Sequence, residues 1–328
     1  MADDKAKVVV ASGGGFSVLI VLMILFSFWL ANNNPNATKN QPKAVSKTSS
    51  SQSSQTQSQK LDTYVDKTTG KEKTFSVYHN QISLSSGAAA STYQPNKEYI
   101  VLSAHGNKTP INLGGWTLKN GRDKQMFVVS GNTVRGQSVS VKIPSFGVAL
   151  YNPYNPAVNR YSPLVLKSGE RAIITTGSAP TLNNVTIKDN FKLNQCLGYL
   201  EDDTGYRAYP SVSYRCPSSD DVPGISSLDN ICYDFVRSIR ACHTPKDVYV
   251  KNEGYCLDRN CKLTSYCRSF IKDNYNFNTC FSRYSGDKDF VSSEWRIFLN
   301  QTWELWGDRR ETISLYDRSG LLVDEISY

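Results

Sequence analysis

EYIVLSAHGNKTPINLGGWTLKN, Glu98–Asn120, is the stretch that decides the fold. Glu98–His105 is rich in β-branched and aromatic residues and reads as one strand. Gly106-Asn107 supplies a turn. In Pro110–Asn120 the positions Ile111, Leu113, Trp116 and Leu118 give a half-buried strand, broken by a bulge at Gly114-Gly115. Working outward, Gln125–Ser130 and Ser138–Pro144 read as further strands, and Leu164–Gly177 as a turn at Ser168-Gly169 followed by a strand at Ala172–Thr176. The chain closes with Glu311–Tyr328, a hairpin around Arg318-Ser319-Gly320. Short strands with turn signals at intervals of about ten residues indicate a mainly β protein of the sandwich type.

Four of these segments taken together, EYIVLSAHGN, INLGGWTLKN, LKSGERAIITTG and RRETISLYDRSGLLVDEISY, resemble the lamin tail domain. The resemblance rests on Glu98-Tyr99, on Leu113-Gly115-Trp116-Leu118, on the Ser168-Gly169-Glu170 turn and on the closing hairpin. It covers about 98–120, 164–177 and 311–328. It implies an immunoglobulin-like β-sandwich over 95–328. It also implies the bacterial, exported or surface setting in which such domains occur, and a role in interaction or scaffolding without a shared catalytic residue. The departure is Ser178–Arg310, an insertion over about 178–310 that holds every cysteine. Residues 61–94 stay unassigned, with a weak strand pair expected in Leu61–Asn80.

The first 60 residues are of another character. After residues 1–7 comes VVVASGGGFSVLIVLMILFSFWLA, Val8–Ala31, without a charge. As a helix it would be about 36 Å long, against a hydrocarbon core of about 30 Å. Trp29 suits the membrane interface, and its bulk two residues before Ala31 argues against signal-peptide cleavage there. A single transmembrane helix at 8–31 is therefore expected to anchor the chain. Residues 32–60, dominated by Asn, Ser, Thr, Gln and Lys, read as a disordered polar linker.

The chain has eight cysteines, all between Cys196 and Cys280. Their spacings lack the paired knuckles of a zinc site and suit disulfides, which require an oxidising compartment. The C-terminal side is thus expected outside the cytoplasm, on a single-pass protein of the cell membrane. Leu228–His243 reads as a helix with Leu228, Ile231, Phe235 and Ile239 on one face, ended by Pro245. Lys262–Asn274 and Asn278–Tyr284 follow as helices, while the surroundings of Cys196 and Cys216 read as loops. Eight cysteines allow about 105 pairings. An antiparallel hairpin of Leu228–His243 on Lys262–Tyr284 would join Cys232 to Cys280 and Cys242 to Cys267. That leaves Cys256 with Cys261, and Cys196 with Cys216.

No nucleophile, zinc, dinucleotide or phosphate motif occurs, and no cofactor or metal site is expected. His79, His105 and His243 stand apart in sequence, and the acidic pairs Asp202/Asp203 and Asp220/Asp221 lack a calcium-loop frame. The net charge of +8 is scattered, without a block of five or six basic residues, which argues against nucleic acid as partner. The YNPYNP run makes Tyr151 and Tyr154 a candidate partner-binding loop. In Asp289–Gly307 the aromatics Phe290, Trp295, Phe298, Trp303 and Trp306 read as packing of the insertion against the sandwich, or as an exposed stacking surface. The expectation is a non-catalytic surface interaction or scaffold protein with a protein or glycan partner. A cell-envelope enzyme acting on a polymer and an exported nucleic-acid binder are the alternatives.

Overall fold

The computed structural model describes residues 62–66, 70–122, 126–129, 131–135, 138–182, 185–187, 190–205, 207–245, 263–307 and 309–328. The expected anchor, the polar linker, Cys256 and Cys261 lie outside them. Among the described residues no helix is long and apolar enough to cross a membrane. Over the described residues the chain is mainly β, partly helical, and carries three disulfides.

Eleven strands make the two main sheets. They are β1 Ile82–Ser85, β2 Tyr99–Ala104, β3 Thr117–Asn120, β4 Ser140–Lys142, β5 Phe146–Leu150, β6 Arg160–Pro163, β7 Arg171–Thr175, β8 Phe191–Asn194, β9 Val291–Phe298, β10 Thr312–Tyr316 and β11 Leu322–Ser327. The larger sheet has seven strands in the order β6-β5-β8-β9-β7-β2-β1, the smaller four in the order β11-β10-β3-β4. β7 runs parallel to β9, with Arg171 opposite Glu294 and Thr175 opposite Phe298, and β5 meets β8 in parallel at Val148 and Phe191. The other pairs are antiparallel. β1 lies in the larger sheet, so that sheet begins ahead of residue 95.

Alternation explains why these segments are strands. In β2 Ile100, Leu102 and Ala104 face inward while Tyr99, Val101 and Ser103 are half-buried. The inward residues of both sheets form one core, with Trp116, Leu118, Ile174, Trp295, Ile297, Ile313, Leu315 and Val323. One flank is closed where the Leu84 amide donates to Asp324 Oδ2 at 2.7 Å. Glu98 is wholly buried and accepts from the amides of Leu305 (2.8 Å) and Trp306 (3.1 Å), fixing Trp306 in that core. Burial holds the Glu98 carboxyl above the usual carboxylate range, opposed by these hydrogen bonds.

β9 differs, because Glu294–Leu299 are buried without a break. Trp295 and Ile297 enter the two-sheet core, and Phe298 enters a second core on the outer face of the larger sheet. A strand covered on both faces reads as continuous burial. The second core is built mainly by the chain between β8 and β9, with Val148, Tyr151, Val185 and Ile187 from ahead of β8. It holds Phe191 and Leu193 of β8, with residues from four helices: α1 Leu197–Thr204, α2 Asn230–Ser238, α3 Ser265–Asn274 and α4 Phe277–Tyr284. Two strands of the expected insertion, β8 and β9, thus return to the sheet, and the described residues outside it fall within 195–205, 207–245 and 263–290.

Several sequence expectations need correction. Pro110–Asn120 is not one bulged strand. Ile111–Asn112 pairs with Val165–Leu166, the backbone turns at Gly115 (φ +78°), and β3 enters the smaller sheet. The turn carries the chain between sheets, as only a left-handed residue allows there. Leu197–Thr204 is a helix, not a loop, ended by Gly205 in the left-handed conformation. In α2 the buried side chains are Cys232 and Val236, whereas Ile231 is exposed.

The cystines are Cys196–Cys280, Cys216–Cys242 and Cys232–Cys267, so the expected pairs Cys232–Cys280, Cys242–Cys267 and Cys196–Cys216 are wrong. The reason lies in the helix caps. Asp229 Oδ1 accepts from the Cys232 amide and Thr264 Oγ1 from the Cys267 amide, so each cysteine sits in the first turn of its helix. Two helix starts are joined, not a start to an end. Nor is Lys262–Tyr284 a single arm. Asn276 accepts from the Thr279 amide and begins α4 anew, which carries Cys280 away to Cys196 at the start of α1.

Candidate functional site

The insertion leaves β8 and returns as β9, and a strap, residues 207–217, crosses the outer face of the sheet beside them. Glu201 of α1 organises the strap. Its carbonyl accepts from Arg207 Nη1 (2.8 Å), and its Oε1 accepts from the Ala208 amide (2.8 Å) and the Tyr214 hydroxyl (3.0 Å). Tyr209 meets Tyr99 of β2 edge to face, with ring centroids 5.6 Å apart. The Cys216–Cys242 cystine fastens the far end, and Gly198 lets α1 approach it: a Cβ there would lie 2.8 Å from Cys216 Sγ.

Beneath the strap lies a charged row that alternation in β9 turns outward. Arg296 is 4% exposed and Glu294 5%. Arg296 Nη1 donates to the Pro210 carbonyl at 3.0 Å, and its Nη2 lies 2.6 Å from Glu294 Oε1. Arg171 Nε of β7 donates to Glu294 Oε2 at 2.6 Å. Glu294 Oε1 makes its ion pair without an aligned hydrogen bond, and Arg296 Nε has no hydrogen-bond partner. Buried charged atoms in this condition are uncommon, because desolvation costs a few kcal/mol unless a partner is supplied.

The row borders a cleft of about 400 Å³, of the size that small-ligand sites occupy. Its walls bring Arg171 and Glu294 from the sheet together with Ser213 and Arg215 from the strap and Ser292 from the start of β9. Leu193, Val212 and Val291 supply the apolar part. A second cleft, about 470 Å³, lies on the other side of Val212, against Arg207, Arg240 and the Cys216–Cys242 cystine. Its Glu201 is held by the strap, and its Asp202 accepts from the Thr244 amide and pairs with His243 at 2.8 Å.

The residues singled out from sequence do not gather in either cleft as a group. Tyr151 is buried and stacked on Phe191 with centroids 4.5 Å apart. Tyr154 is half-buried, its ring 5.1 Å from Phe277 and its hydroxyl donating to Asp203. Burial and the Asp203 carboxylate push the Tyr154 phenol up. The YNPYNP loop therefore packs into the seam between sheet and insertion instead of presenting its rings, because each Asn-Pro corner is folded back on Asn152 and Asn155 side-chain acceptors. The six described cysteines are all in disulfides. His79 bonds the Val323 carbonyl, His105 meets Ser83, and His243 pairs with Asp202, so the imidazoles are apart. Asp220 pairs with Arg237, and Asp221 closes a capping box with Ser218. Among the described residues no three His, Cys, Asp or Glu side chains are placed to hold a metal. Phe290 and Phe298 pack in the insertion core and Trp295 and Trp306 in the sheet core, while Trp303 is 81% exposed.

Arg171, Arg215, Glu294 and Arg296 escaped sequence reasoning. The signal was in VSSEWRIFL, Val291–Leu299, where two charges alternate with Trp295 and Ile297. Such a strand offers a polar face, and only the insertion turns that face into a covered one. Comparison with protein-family models, with curated proteins and with solved structures finds no match to this chain.

Proposed function

We propose that this protein is a non-catalytic binding module held on the outer side of a membrane. Residues 8–31 anchor it and the two-sheet part, a lamin-tail-type immunoglobulin-like sandwich, carries a recognition insertion. The observation that carries the reading is the cleft at the seam, where a cystine-fastened strap crosses the sheet beside an exposed Arg171 paired to the buried Glu294 and Arg296. A rigid, polar recess lined by guanidinium, carboxylate and hydroxyl groups orients a ligand. The histidines are each tied to a structural partner away from the cleft. Three cystines in 195–290 support an oxidising location. Labelling intact producing cells with a membrane-impermeant amine reagent tests the reading. The protein should be labelled before lysis and remain with the membrane pellet in carbonate; labelling only after lysis would overturn it.

A further inference from the structure

We propose that the Cys216–Cys242 cystine is a modification site, at which a small-molecule thiol enters the adjoining cleft and forms a mixed disulfide with Cys216. This goes beyond the binding reading, because it concerns the bond that fastens the strap.

Access separates the three described cystines. Cys196, Cys280, Cys232 and Cys267 are all buried in the insertion core, and none of them borders either of the two large clefts. Cys216 and Cys242 both line the cleft of about 470 Å³. Cys242 is buried, whereas Cys216 is only partly so and packs against the rim of the core. Exchange begins when a thiolate attacks one sulfur of a bridge, so its rate depends on which sulfur can be reached. Here that sulfur belongs to Cys216. A cleft of this size admits a thiol as large as a tripeptide, while a folded reductase cannot enter it.

The surroundings suit a bond that opens. Arg207 and Arg240 line the same cleft, and a guanidinium group nearby favours a thiolate over a thiol. The carboxylates there are engaged elsewhere. Glu201 accepts from the Ala208 amide and the Tyr214 hydroxyl, and Asp202 accepts from the Thr244 amide and pairs with His243. Cys242 Sγ lies 3.3 Å from the Gln195 carbonyl oxygen. In the bridge this sulfur has no proton to give. As a free thiol it donates there, so the opened form gains a weak hydrogen bond that the closed form lacks.

The incoming thiolate bonds to Cys216 Sγ, the Cys216–Cys242 bond breaks, and Cys242 leaves as a thiolate that takes a proton from water. A second thiol molecule, as its thiolate, attacks the sulfur of the first and releases Cys216 as a thiolate. The protein gains two electrons, and the small thiol ends as its own disulfide. The same disulfide reseals the bridge by the reverse steps. Opening frees the far end of the strap, whose Ser213 and Arg215 wall the neighbouring cleft of about 400 Å³.

The test is incubation of the oxidised full-length protein in detergent with reduced glutathione, followed by alkylation and peptide mapping. Cys216 and Cys242 should open at least about tenfold faster than the four core cysteines, whatever the state of Cys256 and Cys261. The first glutathione adduct should sit on Cys216. Ala241→Trp, at an exposed position lining the cleft, should leave the melting temperature unchanged and slow the opening about fivefold. Opening should also quicken tryptic cleavage within the strap about tenfold. Equal rates for all three cystines would mean exchange through global unfolding and would overturn the proposal. So would earlier opening of Cys196–Cys280 or Cys232–Cys267, a first adduct on Cys242, or a folded protein inert to glutathione. An unchanged opening rate in folded Ala241→Trp would overturn the cleft as the route, and unchanged cleavage would overturn the effect on the strap.

Discussion

Replacing Cys196 and Cys280 together by alanine should remove about 4 kcal/mol of stability from the insertion, by the chain-entropy model. The bridge joins residues 84 apart, the longest separation of the three described cystines. The other two bridges already constrain the unfolded chain. Through Cys216–Cys242 and Cys232–Cys267 the shortest remaining path from 196 to 280 is roughly 45 residues, and that length gives the figure above. The same model gives about 3.5 kcal/mol for Cys216–Cys242, whose separation of 26 no other bridge shortens. Cys196 and Cys280 are buried, at 0% and 3%, so lost sulfur packing adds to the loss on replacing them. Alanine is chosen because serine would bury an unpaired hydroxyl. Urea unfolding of the oxidised protein, followed by far-ultraviolet circular dichroism, measures the loss, and non-reducing peptide mapping verifies the pairs. A loss below about 1 kcal/mol would refute the entropic argument. Recovery of a Cys196–Cys216 peptide from the parent protein would refute the pairing itself.

Arg296→Met should cost about 3 kcal/mol, because it strips Glu294 of its buried partner and frees the Pro210 carbonyl. Adding Glu294→Leu should restore part of that stability in the same urea assay; a double variant less stable than Arg296→Met would contradict the assigned coupling. Gly147→Ala should cost about 1–3 kcal/mol by thermal unfolding, since a Cβ would lie 2.8 Å from both the Trp295 ring and the Leu164 side chain; a neutral result would show that β5 can retreat. Glu98 gives a pH signature. Its folded carboxyl is held above its unfolded value, so the native state takes up this proton first and its contribution to stability rises as pH falls. Urea midpoints of the parent relative to Glu98→Gln should therefore climb between about pH 7 and about pH 4, and a relative decline over that range would refute the sign.

Local pattern made much of the β framework legible. The strands β2, β7, β10 and β11 fall where alternation and glycine turns put them, because side chains on a strand sort to two faces whatever the rest of the chain does. The concentration of cysteines in one segment likewise announced disulfides before any geometry was known. Which cysteine meets which was not legible. Helix caps at Asp229, Thr264 and Asn276 set the directions of α2, α3 and α4, and the two-residue break at Tyr275-Asn276 before α4 sends Cys280 to a different neighbour. The cleft was hidden for a related reason. Arg171 and Glu294 are 123 residues apart and meet only because β7 and β9 pair in parallel, and Arg215 joins them only through the strap. Sequence periodicity reports which face of an element is polar. Whether that face meets water or is covered, and by what, depends on contacts between distant segments, and these the tertiary structure alone decides.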